Sequence, residues 1–175
     1  MMKPLTITRA YVAILAALSA AAPAAAQAPE SKLPVPGLTF AYIGEEDEVM
    51  HLGPHQDQVS LKVEITLAPG WKINSTSPLD EYLVPTSLEI ESEGLEFRNP
   101  IWPAPEKAFS QAMGGDMATY SGNFSVYHRP ERKGGKPLFA DKKGKIPQPR
   151  TRVTLHYQSC HGNMCYPPKS VTVEH

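Results

Sequence analysis

The sequence predicts an all-β fold, an immunoglobulin-like β-sandwich, on three observations. Val59, Leu61, Val63, Ile65 and Leu67 alternate with Ser60, Lys62, Glu64 and Thr66, the period of a strand with one face on a core and the other in water. Other short runs of this kind are separated by turn residues, with no convincing amphipathic helix among them. The 18 prolines remove backbone donors and suit loops and strand edges better than helix interiors.

Taken in order, Phe40, Tyr42 and Ile43 start a first strand, and Glu45 to Glu48 form a small solvated acidic loop. The alternating strand from Val59 to Leu67 ends at Pro69-Gly70, which has turn chemistry. Trp71-Lys72-Ile73-Asn74 restarts an extended run, and Thr86 to Ile90 alternates again after a loop around Pro78. Gly94 turns the chain into Leu95-Glu96-Phe97, and Pro100, Pro103 and Pro105 then forbid a regular helix. Glu106 to Met113 reads as a long surface loop with at most one helical turn, stopped by Gly114-Gly115. Ala118 to Val126 is predicted as one strand, Arg129 to Gln148 as an exposed Lys-, Gly- and Pro-rich loop. Val153, Leu155 and Tyr157 form the penultimate strand, Val171 and Val173 the last. The two cysteines lie on one hairpin, so the inter-sheet disulfide of antibody domains is not expected, and only the sandwich architecture is predicted.

The first 26 residues have the pattern of a cleaved export signal: Lys3 and Arg9, an apolar run from Ala10 to Ala22, then Ala24-Ala25-Ala26. The apolar run is short for a membrane span, which needs about 20 residues. Its alanine-rich style suggests a bacterial periplasm, with no membrane insertion after cleavage. Residues 27–39 are Pro-rich and aperiodic and predict a flexible leader, leaving residues 40–175 as a single domain. With 17 basic against 18 acidic side chains, no basic stripe offers itself to nucleic acid or anionic lipid.

The only cysteines, Cys160 and Cys165, stand in His156-Tyr157-Gln158-Ser159-Cys160-His161-Gly162-Asn163-Met164-Cys165-Tyr166-Pro167-Pro168. Gly162-Asn163 suits a hairpin tip, with Cys160 ending one strand and Cys165 starting the next, near the roughly 5.5 Å Cα separation of a disulfide. A loop of about six residues gives only about 2 kcal/mol of chain-entropy stabilisation, against about 4.7 for a hundred. Such a bond is a weak constraint and open to other thiols, which points to exchange. Two other readings stay open: a plain staple, and a soft metal set in which His161 and Met164, with His156 and the sulfurs, hold Cu(I) or Zn(II). His51, His55 and His128 lie far away in sequence, and Met113 and Met117 are the other methionines near the glycine pair. A Cys–His hydrolase is disfavoured, because the second cysteine would trap the nucleophile as a disulfide. No cofactor is expected.

Tyr157-Gln158-Ser159-Cys160 followed by Cys165-Tyr166-Pro167-Pro168 resembles the active-site segment of the N-terminal periplasmic domains of thiol:disulfide interchange proteins of the DsbD family. Pro69-Gly70-Trp71-Lys72-Ile73-Asn74 and Pro85-Thr86-Ser87-Leu88-Glu89-Ile90 resemble earlier strands of those domains in the same order, so the likeness spans roughly Val59 to Val173. It implies an immunoglobulin-like thiol:disulfide oxidoreductase that takes electrons from a thioredoxin-like or membrane thiol donor and passes them to disulfide-containing periplasmic proteins; a monomer is expected. Cys165 would form the mixed disulfide and Cys160 resolve it, with Tyr157, Gln158, Tyr166, Lys72 and Asn74 in support. A cap over the pair would fall at Ala112-Met113-Gly114-Gly115. There Met113 and Gly114 replace the expected aromatic and acidic residues, which weakens the shield or moves it to Phe109. No conduit or thioredoxin-like segment follows in this sequence, so a separate reductant is expected. No positive charge adjoins Cys165 in sequence, leaving Lys72 or Lys169 to lower its pKa through the fold.

Overall fold

Alternating apolar side chains bury one face of each long strand, and the computed structural model shows how these faces meet. It describes residues 33–44, 58–110 and 114–175. The expected signal, most of the leader, Glu45 to Glu48, His51, His55, Ala112 and Met113 lie outside the described residues. Among those described, the strands are β1 (Gly37–Ile43), β2 (Ser60–Thr66), β3 (Trp71–Asn74), β4 (Ser87–Ser92), β5 (Leu95–Ile101), β6 (Glu106–Ser110) and β7 (Gly115–Ser121). They continue as β8 (Asn123–Arg132), β9 (Lys136–Pro137), β10 (Thr151–Tyr157), β11 (Ser159–His161), β12 (Met164–Cys165) and β13 (Lys169–Glu174).

One sheet has the order β1-β2-β8-β5, with β9 beside β8; the others are β13-β10-β4 and β12-β11-β3-β7-β6. All pairings among the described strands are antiparallel. Leu61, Val63 and Ile65 of β2 and Val126 of β8 form one buried cluster with Ile73, Tyr120, Val153, Leu155 and Tyr157 from the other two sheets. The fold is the all-β, immunoglobulin-like sandwich that the alternation predicts. Each fully buried Val, Leu or Ile contributes roughly 1.5–3 kcal/mol, so this shared core outweighs any single crosslink.

The strand predictions around β2, β3, β4, β10 and β13 agree with the structure to within a few residues. Four others need correction. Glu106 to Ser110 is an edge strand paired with β7, not a loop or helical turn; its mostly exposed side chains carry no hydrophobic period from which to read it. Ala118 to Val126 is two strands, because Gly122 takes φ +62° and bends the chain from β7 in one sheet into β8 in another. Arg129 to Gln148 is not wholly an exposed loop: β8 continues to Arg132, β9 pairs back on it, and Leu138 is buried. Leu138 N–H donates to the Pro130 carbonyl, and its own carbonyl accepts from Val59 N–H. The first strand also begins at Gly37, with Leu38 buried, ahead of Phe40.

One feature of the second layer positions the cysteines. The chain passes from β10 to β11 through Gln158 alone, so one nearly continuous stretch pairs first with β4 and β13 and then with β3 and β12. Asn74 N–H donates to the Gln158 carbonyl at 3.2 Å, joining β3 to this bend.

Candidate functional site

The hairpin forms because Gly162 can take φ +57° at its tip, which lets His161 pair with Met164 and Cys160 with Cys165. Tyr166 N–H donates to the Ser159 carbonyl, so the cysteines occupy the non-hydrogen-bonded position between two bonded pairs, where strands approach closest. Their Cα atoms are 4.0 Å apart and their sulfurs form a disulfide with an S–S distance of 2.03 Å. That Cα separation is shorter than the sequence suggests, because the residues are directly opposed. Cys160 is 6% exposed, whereas Cys165 is only half-buried.

β3 lies on the other side of β11, pairing Lys72 with Cys160 and Trp71 with His161. Alternation then places Cys160, Cys165, Lys72 and Asn74 on one face of the sheet, and Trp71, His161, Met164 and Tyr166 on the other. The soft set of sulfurs, His161 and Met164 is therefore split between two faces, and His156 pairs with Glu89 at 3.3 Å instead. Among the described residues no group of three or more His, Cys, Asp or Glu side chains is placed to hold a metal ion. His161 stacks on Trp71 with ring centroids 4.9 Å apart, and Tyr166 lies 5.4 Å from the same indole.

Behind Cys160, two amides and one peptide unit interlock. Asn74 is fully buried. Its Nδ2 donates to the Val84 carbonyl at 2.9 Å and to Gln158 Oε1 at 2.8 Å. Gln158 Oε1 also accepts from Val84 N–H at 2.9 Å, and the Asn74 carbonyl accepts from Thr86 Oγ1. The remaining Asn74 atom, Oδ1, lies 4.0 Å from Cys160 Sγ.

The hairpin of β6 and β7 walls the opposite side. A cleft of about 270 Å³ is bounded by Lys72, Ala108, Phe109, Met117, Thr119 and Cys160. Phe109 thus lines the same cleft as Cys160 while remaining exposed. Gly114 and Gly115 form the turn and first residue of β7. Lys72 Nζ lies 3.6 Å from Glu106 Oε2, and Ser121 Oγ donates to Glu106 Oε1 at 2.6 Å. The Ser121 hydroxyl first, and Lys72 after it, hold the Glu106 carboxyl below its ordinary range. Lys72 is thus already engaged by a carboxylate. Lys169 pairs with Tyr157 in β13, and the phenol of Tyr157 is pushed up by burial in the core. The sequence did not single out Val84, Glu106 or Ser121. Val84 acts through its backbone, which leaves no side-chain signal, and Glu106 lies in the strand without a hydrophobic period.

The family model described as Thiol:disulfide interchange protein DsbD, N-terminal, matches residues 41–175. The chain belongs to this family. Among solved structures, the N-terminal periplasmic domain of ScsB from Proteus mirabilis shares 17% identity with it, covering 79% of this chain and 45% of that chain at a TM-score of 0.47. The DsbD N-terminal domain of Neisseria meningitidis in its reduced form shares 18% identity, covering 67% of this chain and 75% of that chain at a TM-score of 0.39. The chain therefore spans 45% of the length of that ScsB structure. No curated protein matches it. Membership of the DsbD N-terminal family and the disulfide-bonded pair together support a thiol–disulfide relay.

Proposed function

We infer that this DsbD N-terminal family domain is a periplasmic electron relay, a thiol:disulfide oxidoreductase in which Cys165 meets the partner and Cys160 resolves. In the dithiol form, the Cys165 thiolate attacks a partner disulfide, giving a mixed disulfide and releasing one partner thiolate. Cys160 then loses its proton and attacks Cys165 Sγ. This re-forms the internal disulfide, releases the second partner thiolate and completes the transfer of two electrons. A thioredoxin-like or membrane thiol donor reduces the pair again by the reverse sequence. The domain is assigned to residues 40–175, after an export signal over residues 1–26 and a leader over residues 27–39 whose last residues, from Gly37, already join β1.

The observation that carries this assignment is the difference in access: Cys160 is 6% exposed beneath the cleft wall, while Cys165 is half-buried on an edge strand. Phe109, Gly114 and Gly115, together with Ala112 and Met113, are the proposed cap. The test is expression of the Cys160→Ala chain in the periplasm, followed by non-reducing electrophoresis and identification of captured proteins. Mixed disulfides through Cys165 are expected. Their absence, or equal capture through Cys160 in the Cys165→Ala chain, would overturn the division of labour.

A further inference from the structure

We propose that Asn74 positions the resolving cysteine by offering a buried acceptor that only the reduced pair can satisfy. This rests on the reading of Cys160 and Cys165 as an exchanging pair.

The orientation of the amide follows from its partners. The Val84 carbonyl can only accept a hydrogen bond, and it lies 2.9 Å from Asn74 Nδ2. Val84 N–H can only donate, and it lies 2.9 Å from Gln158 Oε1. Gln158 Oε1 therefore accepts, and takes the second Nδ2 hydrogen of Asn74 at 2.8 Å. Reversing Asn74 would set its oxygen against two acceptors at once. Both amide hydrogens are thus committed, and Oδ1 is the atom left facing Cys160 Sγ at 4.0 Å.

A disulfide sulfur carries no hydrogen, so in the oxidised pair this contact has no donor. Asn74 is fully buried, and a buried acceptor without a donor is unfavourable. Reduction adds two electrons and two protons: the S–S bond breaks and each sulfur gains a hydrogen. The new Cys160 S–H is then the donor that Oδ1 lacks among the described residues. The same carbonyl dipole opposes negative charge on Cys160, so the proton stays there while Cys165 ionises first. Asn74 thereby shifts the equilibrium towards the dithiol and leaves the half-buried sulfur as the nucleophile. A thiol is a weak donor, and a net hydrogen bond at the low end of the usual range corresponds to roughly a twofold to fivefold change in the exchange constant. For a two-electron couple, tenfold is about 30 mV.

The experiment compares the full chain with its Asn74→Leu variant in glutathione redox buffers, with infrared spectra of the S–H stretch as a second readout. If the wild-type pair equilibrates with glutathione, the Asn74→Leu pair should be roughly twofold to fivefold harder to reduce; an unchanged constant overturns the proposal and leaves the relay standing. The reduced Cys165→Ser chain retains Cys160 and Asn74, and so tests the hydrogen bond even if Asn74→Leu does not fold or the wild-type pair does not exchange. Its S–H band should lie at lower wavenumber than that of an unbonded thiol. A band at the unbonded position contradicts the proposal. Thiolate absorbance should also show Cys160, in the Cys165→Ser chain, ionising at higher pH than Cys165 does in the Cys160→Ser chain; the reverse order contradicts it.

Discussion

Cys160 and Cys165 are chemically identical side chains made unequal by their surroundings: one lies under the wall of β6 and β7, the other on an edge strand. The importance of the pair was legible in the sequence, because spacing, turn residues and flanks are all local. The amide behind it was only partly legible. Asn74 could be singled out as supporting, but its contact with Cys160 spans 86 positions and depends on Val84 backbone groups. The tip glycine makes a simple prediction: Gly162 has φ +57°, so Gly162→Val should cost about 1–2 kcal/mol, measured by urea unfolding. His128 offers a second test at this scale. It is buried on β8, edge-on to Phe97, and neither ring nitrogen has a hydrogen-bond partner among the described residues. Burial pushes its pKa down from 6.5 to about 4. Above pH 6.5 the ring is neutral in both the folded and the unfolded chain, and its contribution is fully present. Between pH 6.5 and 4 the unfolded chain gains a proton that the folded one refuses, so stability should fall by up to roughly 3 kcal/mol. Comparing wild type with His128→Phe at pH 7 and pH 4.5 checks this: the variant should lose that part of the slope.

At the scale of elements, the hairpin of β6 and β7 is the part of the site that the sequence concealed. Its cap position was expected near residues 112–115, but β6 is an edge strand whose outward charges, Glu106 and Lys107, carry no apolar rhythm. The same sparseness makes it a wall rather than a core element. Phe109 is 66% exposed yet lines the cleft beside Cys160. Phe109→Ala should therefore accelerate attack on the disulfide by a small thiol such as dithiothreitol while changing stability by no more than about 0.5 kcal/mol. An unchanged rate would remove Phe109 from the shield. The ion pair between Lys72 and Glu106 is exposed on both sides and is worth at most about 1 kcal/mol; its interest is that it engages the cation nearest Cys160 in the ladder.

At the scale of the whole molecule, the alternation of β2 and β10 announced a sandwich because half-buried strands carry a period of two. The division of the second layer at Gln158 was not legible, since one residue in a run that stays extended on both sides does not reveal a change of partner strand. The sandwich stands on its shared core rather than on the crosslink. Leu155→Ala should cost about 2–5 kcal/mol, whereas opening the short disulfide loop should cost no more than about 2. A domain that stays folded in both redox states is what a relay requires. The most direct measurement is the equilibrium of the Cys160–Cys165 pair with glutathione buffers. A relay predicts a reduction potential above about −300 mV, within reach of periplasmic thiol partners. A value well below that, typical of a structural disulfide, would show that the hairpin is a staple.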